Sequence, residues 1–69
     1  MRDRITIIIK DNSDETYMKQ IFVYLETEKI NVLKNYNSDQ YDTVWDRLCD
    51  HISMTYRLPD DWYIDHIDF

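Results

Sequence analysis

The sequence predicts an α+β fold: a small two-layer βαβα(β) domain with two helices packed on a short sheet. A β-branched apolar run opens the chain, and two later segments place apolar residues at helical spacing. At 69 residues the chain is expected to form a single domain, residues 1–69. Its 43% hydrophobic residues, with 14% aromatic residues, are typical of a folded core.

The run RITIIIK predicts a strand over residues 4–10, because β-branched residues favour extended backbone. A helix start is predicted in the polar segment that follows, with Asn12 and Glu15 as a capping pair or Ser13 as the alternative cap. The first helix is predicted over residues 14–27. Its apolar residues recur at helical spacing: Met18, Ile21, Phe22 and Leu25, flanked by Tyr17 and Tyr24.

Residues 29–36 predict a second strand, because Ile30, Val32 and Tyr36 alternate along the chain. Leu33 interrupts that alternation, so a continuation of the first helix is the alternative. The second helix is predicted over residues 39–53, with Ser38 as its cap.

Pro59 ends any helical pattern, and the tail 59–69 is predicted to be an edge strand or an ordered tail. An extended tail puts two sets of side chains on opposite sides: Tyr63, Ile67 and Phe69 on one, and Trp62 and Ile64 on the other.

The formal net charge of −6 is confined to the second half of the chain. Residues 1–37 carry six acids and six bases, whereas residues 38–69 carry eight aspartates against Arg47 and Arg57. A negative field of this kind repels nucleic acid and anionic membranes and attracts basic proteins. The expected partner is therefore a basic protein, with no direct binding of nucleic acid and no membrane contact.

The predicted second helix separates acidic from apolar residues. At 100° per residue, its aspartates fall within about 80° of one another: Asp39, Asp42, Asp46 and Asp50. The apolar residues fall on the opposite side and are expected to dock on the sheet: Tyr41, Val44, Trp45, Leu48 and Ile52. A face meant only for solvation normally mixes charges of both signs. A row of short carboxylates without bases resembles a row of backbone phosphates.

Several other classes of function are disfavoured by the composition. Cys49 is the only cysteine, which excludes an internal disulfide and a thiol-based zinc site and favours a cytoplasmic location. No glycine is present to form a phosphate-binding loop, and His51 and His66 are not at a metal-ligand spacing. We therefore expect no enzymatic activity, no cofactor and no metal site. A homodimer is possible, since a small core gains from further burial.

The segment YNSDQYDTVWDRL, residues 36–48, resembles the inhibitory segment of barstar-type ribonuclease inhibitors. That family has a tyrosine, an acid and an amide, then Asp-x-apolar-Trp-Asp-x-Leu. The matching residues here are Tyr36, Asp39, Gln40, Asp42, Val44, Trp45, Asp46 and Leu48. Gln40 stands where the family has asparagine, and Ser38 where it has glycine. The resemblance implies that Asp42 and Asp46 enter a nuclease active site and meet its phosphate-binding bases. It also implies that the tyrosine and the tryptophan contribute to the contact.

These observations predict a small acidic inhibitor that blocks the nucleic-acid site of a basic nuclease or defence effector by charge mimicry. The composition is similar to that of small phage-encoded acidic inhibitors that mimic nucleic acid. The alternative is a non-catalytic adaptor or dimerisation module whose acidic face is only solubilising. The residues predicted to bind the partner are Tyr36, Asp39, Asp42, Trp45, Asp46, Asp50, Asp60, Asp61 and Asp65.

Overall fold

The apolar run near the start of the chain forms the central strand of a three-stranded antiparallel sheet. In the computed structural model, which describes all 69 residues, strand β1 spans Arg2–Asp11 and lies between β2, Asp14–Glu26, and β3, Trp62–Asp68. Because side chains alternate along a strand, Ile5, Ile7 and Ile9 all point to one face and are buried there. The strand predicted over residues 4–10 is confirmed.

The helix predicted over residues 14–27 is wrong, since this segment is the edge strand β2. Ile21 and Val23 point inward opposite Ile7 and Ile5 of β1. The residues read as a helical stripe alternate between the two faces of the sheet instead. Both faces of β2 carry apolar side chains, so the sequence satisfies both periodicities, and pairing with β1 selects the strand.

The polar residues predicted to cap a helix form the turn of the β1–β2 hairpin. Asp11 and Asp14 are paired, and the loop between them is Asn12 and Ser13. The Asp11 carboxylate accepts the Ser13 backbone N–H at 2.9 Å, and the Asp14 carboxylate accepts the Thr16 N–H at 3.0 Å. Such side-chain-to-backbone bonds stabilise turns as readily as helix starts.

The strand predicted over residues 29–36 is also wrong. Helix α1 spans Thr27–Lys34 and buries Ile30 and Leu33, which are three residues apart and so share one helix face. The alternative of helix in this region is correct in type, but α1 starts directly after β2 and continues no earlier helix.

Helix α2 spans Tyr41–Thr55, two residues later at each end than the predicted 39–53. No side chain caps it, so Ser38 is not its cap. The Ser38 hydroxyl instead accepts the Gln40 backbone N–H at 3.3 Å, within the turn that precedes the helix. Asp39 lies in that turn rather than in the helix.

The tail forms strand β3 at the second edge of the sheet, which confirms the edge-strand prediction. Its register with β1 shifts between Ile8 and Ile9, and Asp65 is the additional residue. The bulge reverses the alternation, so Ile67 packs against the core with Trp62 and Ile64. The prediction that Ile67 lies on the side of Tyr63 is therefore wrong.

Both helices pack on one face of the sheet, and the core between the two layers consists of nine buried apolar residues: Ile5, Ile7, Ile9, Ile21, Val23, Ile30, Leu33, Leu48 and Ile52. The predicted α+β class, with two helices on a short sheet, is confirmed. The order of elements is ββααβ rather than the predicted βαβα(β), because the first helix and the second strand exchange places. Neither helix is long and apolar enough to cross a membrane.

Candidate protein-binding surface

Helix α2 is held to the core by Leu48 and Ile52, which are 3% and 0% exposed. Since successive residues are 100° apart around a helix, this anchoring turns Asp42, Asp46 and Asp50 away from the core. All three are exposed. They are spaced four residues apart, which corresponds to about 6 Å along the helix axis. We call these three residues, with Asp39 in the preceding turn, the acid column.

No base neutralises the acid column. The ion pairs of the protein link Glu26 and Asp65 to other groups, and none includes a member of the column. Arg47 and Lys29 line a cleft between α1 and α2 that Asp39 also lines, but neither base forms an ion pair with it. The carboxylates of the column therefore carry charge that no ion pair compensates.

The pKa of the Cys49 thiol is affected by the negative charge of the acid column. Burial raises the pKa of its thiol above the ordinary value of 9.0, and the nearby carboxylates of Asp46 and Asp50 raise it further. The thiolate, which is the nucleophilic form, is accordingly disfavoured.

Trp45 lies beside the column and is half-buried. Its ring stacks on Tyr41 with centroids 5.9 Å apart and planes inclined by 16°. The two rings line a shallow groove of about 180 Å³ together with Leu33 and the C-terminal residue Phe69. The rest of its lining comes from β3: Ile64, Asp65, His66 and Ile67. Aromatic residues are enriched at protein interfaces, and charged residues around them steer association.

Tyr36 occupies the turn between α1 and α2 and is 75% exposed. The turn is organised by polar side chains: the Asn35 side-chain oxygen accepts the Asn37 backbone N–H at 3.2 Å. Tyr36 and Asp39 thus lie in one short connection directly before α2, so the segment 36–50 presents a tyrosine, the acid column and Trp45.

Asp60 and Asp61 belong to a different part of the surface. Both are exposed in the loop before β3. The Ser13 hydroxyl donates a hydrogen bond to the Asp61 carboxylate, and the Asn12 backbone N–H donates to the Asp61 carbonyl at 3.1 Å. The structure therefore joins these acids to the tip of the β1–β2 hairpin, where Asp14 is also exposed. Sequence patterns do not identify this hairpin-tip group, because the residues around Asp14 also fit a helix start.

Asp65 forms an ion pair with Lys10 and a hydrogen bond with His66. Its carboxylate lies 3.5 Å from the Lys10 ammonium and 2.8 Å from the His66 ring nitrogen Nδ1. The hydrogen bond from His66, followed by the charge of Lys10, lowers the pKa of Asp65 below its ordinary value. Of the nine predicted residues, Asp65 is thus the one whose charge is paired with bases of the sheet.

No three His, Cys, Asp or Glu side chains converge closely enough to hold a metal ion. Searches against protein-family models, curated proteins and solved structures find no match to this chain. The geometry of the site is therefore the basis for a functional proposal.

Proposed function

We propose that this protein is a small acidic inhibitor that binds a basic nucleic-acid-processing enzyme, such as a nuclease or defence effector, and blocks its nucleic-acid site. The observation that carries the proposal is the acid column, an exposed row of carboxylates without a counter-charge on a helix anchored by Leu48 and Ile52. Enzymes that bind nucleic acid present lysine and arginine to the phosphate backbone. The column offers those bases a protein-borne row of negative charge.

The choice of aspartate supports charge mimicry over simple solvation. Aspartate is a weaker helix former than glutamate, and like charges four residues apart destabilise a helix by a few tenths of a kcal/mol. Because the side chain is short, each carboxylate is held close to the rigid backbone and loses little rotamer entropy on binding. Glutamate would provide the same solubility with a higher helix propensity.

The resemblance to barstar-type inhibitors is consistent with the same surface. It assigns the enzyme-facing positions to Asp42 and Asp46, the two central acids of the column. Trp45 and Tyr36 are also exposed or half-exposed beside it. On this proposal the carboxylates meet phosphate-binding bases, while the aromatic rings supply apolar contact at the edge of the groove.

The test uses a double variant of the column, Asp42→Asn with Asp46→Asn, against a panel of basic nucleases. Inhibition of oligonucleotide cleavage is measured as a function of protein concentration. The control is Glu15→Gln with Glu28→Gln, which removes the same total charge from exposed residues outside the column. We expect the column variant to weaken inhibition by about 30-fold or more, as for truncation of charged hot spots. Equal inhibition by the column variant and by the control would contradict charge mimicry.

A specific observation favours the alternative, a non-catalytic adaptor or dimerisation module. The face of the sheet that the helices leave uncovered carries large exposed apolar side chains, among them Met18 and Tyr24 at 68% and 61% exposure. In that case substitutions on the sheet impair function and substitutions in the acid column do not.

A further inference from the structure

The uncovered face of the sheet, which we call the open face, is formed by the outward-pointing residues of all three strands. Residues opposite one another in an antiparallel pair share a face. Thr6 and Ile8 of β1 lie at its centre, with Phe22 and Gln20 of β2 opposite them. His66 of β3 flanks Ile8 on the other side. No element of the chain packs over this face, since both helices lie on the other one.

The open face carries several large apolar side chains among its charged ones. An antiparallel sheet with one side in water normally alternates apolar inward and polar outward residues. Here the exposed side chains on β2 include Met18, Phe22 and Tyr24, at 68%, 44% and 61% exposure, and β3 adds Tyr63 at 38%. These four are half of the eight large apolar side chains that the whole protein exposes. Three of them lie along β2, and a group of exposed apolar side chains is typical of an interface.

We propose that the open face binds the open face of a second copy of this chain, giving a two-fold dimer. The charge distribution favours this occupant. The acids and bases on the face balance: Arg2, Arg4 and Lys10 against Glu26, Asp65 and Asp68. The chain as a whole carries −6, so two copies repel one another least through their neutral faces.

The area of the open face is also sufficient for a specific dimer interface. The three strands have 10, 13 and 7 residues. At about 3.3 Å per residue and a strand spacing of about 4.8 Å, they cover roughly 480 Å² in projection. Two copies together therefore bury about 960 Å², which is near the 1,000 Å² expected of a specific interface. The predicted association is that of a small dimer with sheets stacked about 10 Å apart.

Dimerisation through the open face leaves the acid columns accessible. Because the helices lie on the far side of each sheet, stacking the open faces leaves both acid columns exposed on opposite sides of the assembly. The dimer proposal is independent of the inhibitor proposal and stands if the latter fails.

The test measures the mass of the full chain by sedimentation equilibrium from about 5 to 500 μM. The variants are Met18→Glu and Tyr24→Glu, whose new carboxylates lie opposite Lys10 and Arg4 respectively. A carboxylate opposite a base on the neighbouring strand keeps the monomer folded, whereas in the dimer it replaces an apolar contact with a charge that must lose its hydration. The control is Met54→Glu, which changes a side chain that is 87% exposed on α2.

We expect the native chain and Met54→Glu to reach twice the monomer mass of 8.6 kDa. We expect both sheet variants to raise the dissociation constant by about 100-fold. Circular dichroism confirms that each variant is folded. A native chain that stays monomeric throughout the range overturns the proposal. So does a dimer that folded Met18→Glu and Tyr24→Glu leave intact, or one that Met54→Glu disrupts.

Discussion

The outer surface of α2 and the open face of the sheet lie on opposite sides of a single thin core, and they expose different side chains. On α2 the residues are carboxylates without counter-charges, whereas on the sheet they are aromatic and aliphatic groups among balanced charges. Both surfaces depend on the same nine buried residues. A domain this small therefore supports two chemically distinct faces only as long as its two layers remain together.

The largest effect is expected from a substitution that creates a cavity between the helices and the sheet. Ile52 is fully buried and holds α2 to the sheet, so Ile52→Ala is expected to reduce the free energy of unfolding by about 2–5 kcal/mol. A domain of this size is stable by only about 3–5 kcal/mol, so much of the variant is expected to be unfolded. Urea denaturation followed by circular dichroism measures the change. Met54→Ala, on the exposed side of the same helix, serves as the control, and an equal loss in both variants would show that α2 contributes little to the core.

The two faces are distinguished by their responses to salt. Binding of a basic enzyme to the acid column is expected to weaken at least tenfold between about 0.05 and 0.5 M salt, because screening removes the attraction between opposite charges. Association of two open faces is expected to hold or strengthen over the same range, because salt screens the repulsion between two acidic chains. Inhibition assays and sedimentation equilibrium follow the two reactions in parallel buffers. Salt dependences of the same sign would mean that one surface serves both partners.

The smallest expected effect is a change in the reactivity of the Cys49 thiol when charges of the acid column are removed. Burial, then Asp46 and Asp50, raise the pKa of the thiol, so less thiolate is present at a given pH. Replacing both aspartates with asparagine lowers the pKa towards its ordinary value and raises the thiolate fraction below that value. We expect alkylation by iodoacetamide at pH 8 to accelerate by about twofold, a small effect because both carboxylates are exposed and screened by solvent. Iodoacetamide is uncharged, so its own attraction to the protein does not change.

Glu15→Gln with Glu28→Gln is again the matched control for this rate. An acceleration of the same size in the control would assign the pKa shift to net charge rather than to the column. Burial of Cys49 is the largest cause of the shift and persists in the variant, so the rate is expected to stay below that of the unfolded chain.

The two halves of the chain also differ in how far their structure could be predicted. On α2 the apolar residues form one stripe, so the helical period is the only one that separates Leu48 and Ile52 from the aspartates. The same pattern identified the acid column. In the segment 14–26, by contrast, Ile21 and Val23 face the core while Phe22 and Tyr24 face outward. With apolar residues on both faces, strand and helix fit the sequence equally well.

The site residues also differ in how far their surroundings could be predicted from the sequence. The exposure of Asp42, Asp46 and Asp50 followed from local periodicity. The pairing of Asp65 with Lys10 did not, because it depends on the register of β3 against β1 and on a bulge within it. The attachment of Asp61 to the hairpin tip likewise joins residues 48 positions apart in the chain.

The sequence by itself determined the α+β class, the central strand, helix α2 and the direction in which the acid column points. Each follows from interactions between residues close in the chain. When the apolar residues of a segment fit only one period, that period fixes both its secondary structure and the face that is buried. Tertiary structure decided that residues 14–26 are a strand, that residues 27–34 are a helix, and that one face of the sheet is left open. Those outcomes depend on the pairing of β2 with β1, which buries Ile21 and Val23 against Ile7 and Ile5. That burial between distant segments decides between two local patterns that fit the sequence equally well.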